Sequence, residues 1–307
     1  MFKKIPSWLV LTFASLLLNG VWGALIEIPE KRISPGFPTS LGFIVWSIAF
    51  IPCSIFLLYK IGWKLDYSLN GIKKGMLVGL LGAGGQFVIF EALRSGPAYI
   101  IFPITSVFPI ITIVLSIFFL KERINIWASL GIVFAFISMV LLSLQESGIA
   151  SSSSYTWLLL SIGAFLMWGL QAFFAKVFLQ TMNSESIFFY IMVSNLVFIP
   201  LALKLTDFTQ PIGWGTAFYV TIAIQLLNVI GVVTMVFALS MGKVIVISPV
   251  SSLAPMITTI LSLFIYSRIP YVLNMYGILI ALISLGLVTY GEVVSNRNKA
   301  SEILKYQ

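Results

Sequence analysis

The chain has 307 residues, 59% of them hydrophobic and only 9% charged, with a formal net charge of +8. Ordinary soluble domains carry about 25% charged residues, so a mean hydropathy of +1.06 points to the bilayer as solvent rather than to one water-soluble core. The basic excess sits in short gaps between apolar runs, not on a basic face, which argues against nucleic acid as a partner.

Apolar stretches of roughly 20 residues, enough to cross ~30 Å of hydrocarbon, fit ten times between polar interruptions, near 7–26, 39–59, 74–94, 97–120, 126–144, 156–179, 184–204, 215–240, 243–266 and 271–291. Lys3 and Lys4 before the first stretch resemble a signal peptide, but its length and the spans that follow predict a retained first helix. That helix aligns Thr12, Ser15, Asn19 and Trp22 at steps of three and four. The second span holds the single cysteine, Cys53, so no disulfide framework is available. The third presents a small-residue stripe, Gly75, Gly79, Gly82 and Ala83, ending at Gln86, suited to close helix approach. At its outer end Glu91 stands three residues from Arg94; a structural ion pair is the first reading and proton coupling the second.

The fourth span carries Pro103 and Pro109 around Ser106, and the ninth carries Pro249 and Pro255 around Ser252. Each proline removes an i to i−4 hydrogen bond, so bends at matching depths are expected, serving as hinges. Gln145–Ser154 reads as a flexible linker with a short serine run. In the sixth span Trp168 falls near mid-bilayer, and Lys176 near the inner end is long enough to snorkel to headgroups. The eighth span has the sharpest polar stripe, Thr221, Gln225 and Asn228, which serves either as interhelical glue or as a cavity wall.

Much of the first half returns, ungapped, 146 positions later: Ala92, Gly96, Pro103, Ser106, Pro109, Thr112 and Ser116 recur as Ala238, Gly242, Pro249, Ser252, Pro255, Thr258 and Ser262. The same shift carries Trp22-Gly23 onto Trp168-Gly169, Gly85 onto Gly231 and Gly131 onto Gly277. Five spans per copy is an odd number, so the second copy enters the membrane from the opposite side. The expected fold is an all-α membrane protein of ten transmembrane helices in two inverted five-helix repeats. Residues 1–144 form the first repeat, 145–154 an external linker, 155–292 the second repeat and 293–307 a cytoplasmic tail. Of the 18 Lys and Arg residues, 13 fall on the side that holds both termini, which predicts a cytoplasmic location for the termini.

Chemistry is bounded by what the sequence lacks. There is no histidine, no Gly-rich phosphate loop, and the only aspartates, Asp66 and Asp207, lie in opposite loops. Imidazole metal sites, Ser/His or Cys/His nucleophiles, ATP hydrolysis and magnesium-pyrophosphate chemistry are therefore not expected, and neither a metal nor a cofactor is predicted.

The Trp-Gly of spans one and six, the segment Ala92-Leu93-Arg94-Ser95-Gly96-Pro97-Ala98, the Pro103/Pro109 span ending in Leu120-Lys121-Glu122-Arg123, and Gly131 resemble the drug/metabolite transporter superfamily in its ten-helix EamA-like branch. The second half is degenerate, with Ser267-Arg268 at the Lys-Glu position. The resemblance covers residues 8 to 291. It implies a bacterial inner-membrane permease, not an enzyme, working by alternating access through a cavity between helices 1, 3, 4, 6, 8 and 9. That cavity would be bounded by Asn19, Trp22, Gln86, Tyr99, Ser106, Trp168, Gln171, Gln225, Asn228 and Ser252, with Glu91 as the coupling candidate. Such a wall suits a small neutral or zwitterionic metabolite, with export of amino acids or related compounds as the lead. A sugar or nucleotide-sugar carrier and a lipid-linked substrate translocase are the alternatives. The bilayer and a small-molecule substrate are the expected partners, and a homodimer stays open.

Overall fold

The computed structural model describes residues 5–95, 101, 104–143, 156–266 and 272–305. Ten helical spans follow in order: α1 (Ser7–Leu25), continued by a π-helical turn (Ile28–Arg32); α2 (Thr39–Lys60); α3 (Leu69–Ser95); α4 (Ile104–Leu120), regular over Pro109–Leu115; and α5 (Ile126–Ser143). The second five are α6 (Thr156–Phe178), α7 in two pieces (Ser184–Val197 and Ile199–Leu205), α8 (Thr216–Met241), α9 in two pieces (Val244–Ser251 and Ala254–Tyr266), and α10 (Val272–Lys305). Among the described residues there is no strand. Eight of the spans are long and apolar enough to cross a membrane, and 104–120 and 126–142 form shorter apolar helices.

Two ends differ from the hydropathy limits because caps and backbone propensity, not apolarity, set them. The Ser68 hydroxyl accepts from the Gly71 amide at 2.9 Å and Asp66 Oδ1 from the Ser68 amide at 2.9 Å, so α3 starts at Leu69 rather than near 74. Nothing breaks the helix after 291, and α10 runs on to Lys305. A further break, which the apolar run of α7 conceals, falls where Pro200 opens the second piece.

Packing obeys the repeat. α1 lies against α8 and α9, and their counterparts repeat this as α6 against α3 and α4; α2 meets α8 as α7 meets α3, and α5 pairs with α10. The side chains follow suit. Ser138 Oγ donates to Gly277 O at 2.8 Å, and Ser284 Oγ donates to Gly131 O at 2.7 Å, a reciprocal pair across one pseudo-twofold axis. Thr112 Oγ1 donates to Gly169 O and Thr258 Oγ1 to Gly20 O, both at 2.9 Å. The glycines are what let these backbones approach: a Cβ on Gly169 would stand 2.5 Å from Ile111 Cβ, and one on Gly20 would stand 2.4 Å from Ile257 Cβ. With five helices in each copy, the two repeats are inverted.

The expected bends appear at equivalent places. α4 breaks at 107–108 before Pro109, and α9 at 252–253 before Pro255. The backbone tightens identically there, with Ile110 N donating to Val107 O at 3.0 Å and Met256 N to Leu253 O at 2.9 Å. Pro249 lies inside the first piece of α9; Pro103 lies outside the described residues.

The loops pair by the same symmetry. At one end Gly213 N donates to Gly36 O at 3.0 Å, joining the α1–α2 and α7–α8 connections. At the other, Asn183 Nδ2 donates to Lys64 O at 3.2 Å, joining the connections α2–α3 and α6–α7, and α7 adds Ser186 Oγ, which accepts from Asp66 N at 3.1 Å, and Tyr190, which donates to Asp66 O at 2.6 Å. This second end is also tied by ions. Glu122 accepts from the Val244 and Ile245 amides at 3.2 and 3.0 Å, capping α9. Lys243 meets the buried Glu292 carboxylate at 3.3 Å. Lys176, whose length suits snorkelling, instead donates to the Leu239 and Gly242 carbonyls, the orphaned acceptors at the C-terminus of α8.

Burial pushes the Glu122 carboxyl up from its ordinary value, against the opposing pull of the two amides and of Lys176 and Lys243. In the window between those values the folded chain holds a proton that the unfolded chain releases, so this contribution to stability falls as pH rises. The wild type should therefore lose melting temperature relative to Glu122→Gln as pH is raised from the ordinary Glu value of ~4.3, then level off; a widening advantage for the wild type through that window would refute this. The two axis glycines should also differ. A Cβ on Gly131 meets the Val288 amide nitrogen at 2.9 Å and Ser284 O at 3.0 Å, whereas one on Gly277 meets Leu142 Cγ at 3.0 Å, a side chain that can yield. Gly131→Ala should cost about 1–3 kcal/mol and Gly277→Ala less. Gly286→Ala, where space is open, should be neutral or stabilise by up to about 1 kcal/mol, all read by thermal denaturation in detergent.

Candidate substrate cavity

A cavity of about 260 Å³ lies where the two repeats meet. Its wall is formed by Trp22, Ile26 and Glu30 from α1 and its π-helical turn, Thr39, Phe43, Trp46 and Phe50 from α2, and Gly82, Ala83 and Gln86 from α3. The second repeat supplies Trp168 and Gln171 from α6, Ile191 and Asn195 from α7, and Gln225, Asn228 and Val232 from α8. Of the residues the sequence singles out, Trp22, Gln86, Trp168, Gln171, Gln225 and Asn228 come together here.

The others fall elsewhere. Asn19 stands just behind the wall, accepting from Asn228 Nδ2 at 2.8 Å. Ser106, half-buried before the α4 break, and Ser252, which donates to Ser248 O at 2.9 Å in the α9 break, are not among the lining residues. Helices 4 and 9 are thus replaced as walls by α2 and α7, because the faces of α4 and α9 near their breaks are taken up by tight packing against α6 and α1. Glu91 is exposed on α3, away from the cavity. Tyr99 lies outside the described residues.

The polar stripe of α8 ties three helices together. Trp22 Nε1 donates to Gln225 Oε1 at 3.0 Å, and Gln225 Nε2 donates to Gly42 O at 3.2 Å. Trp46 Nε1 donates to Asn228 Oδ1 at 2.6 Å, and Asn19 Nδ2 passes the chain on to Ser15 O at 2.8 Å. Both amides are nearly buried, at 4% and 7% exposure, so they hold two indoles in place rather than offering open donors. Trp168 is held differently: its Nε1 donates to the main-chain Gly82 O at 3.4 Å, with Gly85 allowing the ring to lie close.

Some polar groups remain unspoken for. Asn195 is 1% exposed, and its Nδ2 has no partner among the described residues. Gln86 and Gln171 make no hydrogen bond to the protein among the described residues, although Gln171 presses on Gly82, where a Cβ would come within 2.3 Å of its Nε2. Glu30, beside the Thr39 hydroxyl, is the ionisable residue of the wall. Sequence reading missed it because it lies past the end of the first apolar run. The signal that could have flagged α2 is the spacing of Phe43, Trp46 and Phe50, which share one helical face.

The cavity has a floor. Trp46 and Phe50 meet edge to face at 5.1 Å, and Phe50 stacks on Phe188 at 5.2 Å. Beyond them Ile187, Val229, Val236, Leu239 and Ile247 are buried in one apolar cluster that fills the end bearing Lys176 and Lys243. At the opposite end the wall reaches Ile26, Glu30 and Thr39, at the α1–α2 connection.

Comparison with known proteins agrees with this architecture. The sequence model of the EamA-like transporter family matches residues 6–144 and 155–290. An uncharacterized protein of Methanocaldococcus jannaschii, MJ1333.1, is 40% identical over 62 residues, which are 20% of this chain and 45% of that one. That match spans less than half the length of this relative. A solved crystal structure whose sequence is 17% identical shares the fold, with a TM-score of 0.76 over 94% of this chain and 98% of its own. With both five-helix halves matched, the chain is a multi-pass membrane protein that belongs to the EamA-like transporter family, within the drug/metabolite transporter superfamily.

Proposed function

We propose that this chain carries small neutral or zwitterionic metabolites, amino acids or related compounds, outward across a bacterial inner membrane by alternating access. The observation that carries the reading is the cavity between inverted repeats, floored at one end by Phe50 and Phe188 and reaching Glu30 and Thr39 at the other. Because the connections that meet at the two ends are repeat equivalents, an exchange of conformations between the repeats would move the floor to the other end. The charge count places the floored end in the cytoplasm, so the conformation described faces outward.

The chemistry of the wall favours the same substrates. Amides supply hydrogen bonds, aromatic rings supply stacking, and among the described residues no Lys or Arg lines the cavity to hold a phosphate. Its volume of about 260 Å³ falls just below the ~300–1,000 Å³ of drug-sized pockets, which suits a single small metabolite better than a nucleotide sugar or a lipid-linked donor. Glu91, exposed and off the cavity, is better suited to a structural role than to coupling.

Purified protein in liposomes, offered labelled amino acids, sugars and lipid-linked sugars with and without a pH gradient, tests this. Gln225→Leu and Asn228→Leu each release an indole and remove two hydrogen bonds worth ~0.5–1.5 kcal/mol each, so each should lower transport about 5- to 150-fold while helical content is retained. Unchanged transport of every substrate in both variants would remove the cavity from the mechanism, and loss of transport in Glu91→Gln only under a pH gradient would restore that residue to coupling.

A further inference from the structure

Among the described residues the wall carries one carboxylate and no cation, and that imbalance specifies more than the amides do. Glu30 sits on the π-helical turn that follows α1, on a backbone held from several sides. Phe37 N donates to Pro29 O at 2.8 Å, and Gly36 closes onto Glu30 O so tightly that a Cβ there would come within 2.4 Å. The loop from α7 to α8 fixes the arrangement through the bond from Gly213 N to Gly36 O, and Trp214 meets the Phe37 ring edge to face at 5.7 Å. The side chain is thus presented to the cavity by a rigid turn.

The cations next to Glu30 in sequence are engaged elsewhere. Lys31 pairs with Glu27 at 3.9 Å, and the Arg32 guanidinium lies 5.1 Å from the centre of the Tyr266 ring. Glu30 has no ion pair among the described residues; the Thr39 hydroxyl bonds to it, and Lys31, engaged with Glu27, acts on it only from beyond pairing distance. A half-buried carboxylate without a directly paired cation is costly in a membrane bundle unless a ligand supplies one. The aromatic walls work in the same direction, because the positive N–H edges of Trp22, Trp46 and Trp168 are all turned to protein acceptors, and ring faces attract cations. Across the cavity, the unpartnered Asn195 Nδ2 offers a donor to an acceptor group.

We propose that the substrate bears a protonated amine which pairs with Glu30, and a hydrogen-bond acceptor which takes the Asn195 amide. The proposal rests on the cavity being the transport site, and it narrows the substrate class from neutral or zwitterionic solutes to ammonium-bearing ones: amino acids in their zwitterionic form, or small organic amines.

The test uses the full chain purified in detergent, titrated with phenylethylamine, phenylalanine and the uncharged phenylethanol, and read by quenching of the cavity tryptophans. The wild type should prefer the two amines over phenylethanol by about tenfold or more. Glu30→Gln should reduce that preference to within about threefold in a variant that still melts cooperatively, while Glu27→Gln should keep it. Asn195→Leu should weaken phenylalanine more than phenylethylamine, which lacks the carboxylate. A wild type without amine preference, or a folded Glu30→Gln variant that retains it, overturns the proposal. If Gln225→Leu and Asn228→Leu weaken all three probes while Glu30→Gln changes nothing, the amine assignment fails and the cavity stands. If none of these variants alters binding, the cavity itself is not the site.

Discussion

A hydrogen-bonding side chain carried into an apolar bundle must find a partner there, because lipid offers none and each unmet group costs several kcal/mol. The interior follows from that constraint. Ser138 and Ser284 reach across to the carbonyls of Gly277 and Gly131, Thr112 and Thr258 to those of Gly169 and Gly20, and Gln225 and Asn228 to two indoles and to α1 and α2. The hydroxyls of Ser54 and Ser248 stay buried without a partner among the described residues, but the amides left over gather in one place: Asn195, Gln86 and Gln171 line the same cavity as Glu30.

The repeat makes the same constraint act twice, and unequally. The serine bonds to glycine carbonyls are duplicated faithfully, and the threonine bonds recur about one turn apart, to Gly169 in one copy and to Gly20 rather than its counterpart Gly23 in the other, since they need only a hydroxyl and a close backbone. The amides are not duplicated: Gln225 and Asn228 stand opposite Gly79 and Gly82 in the alignment, and Asn195 opposite Ala49. The scaffold therefore keeps its twofold character while the cavity lining loses it. The ends are also unequal, with an apolar plug and ionic ties at one and a backbone bond with an aromatic cluster at the other.

The number and limits of the helices were legible because hydropathy and helix length answer to one quantity, the thickness of hydrocarbon to be crossed. The bends at Pro109 and Pro255 were legible because proline acts locally. Cap chemistry moved the start of α3, and a polar helix extended α10, both beyond what apolar content records. For the cavity, helical spacing picked out Gln225 and Asn228 but could not tell which neighbours would saturate them. Phe43, Trp46 and Phe50 carry no polarity, so their common face reads equally as lipid contact or core. Glu30 was hidden for a geometric reason: a residue four positions beyond an apolar run looks like a loop residue unless the turn after the run is known to fold back over the bundle.

The two indoles that repeat, Trp22 and Trp168, are held by different kinds of acceptor, and this bears on how such a protein can change over generations. Trp22 leans on the side chain of Gln225, and Trp46 on that of Asn228, so a single codon change on α8 re-aims a ring in the cavity wall. Trp168 leans on a main-chain carbonyl, which no substitution at residue 82 deletes. One wall of the cavity can therefore be reshaped by one substitution on a neighbouring helix, and the other is anchored to the main chain.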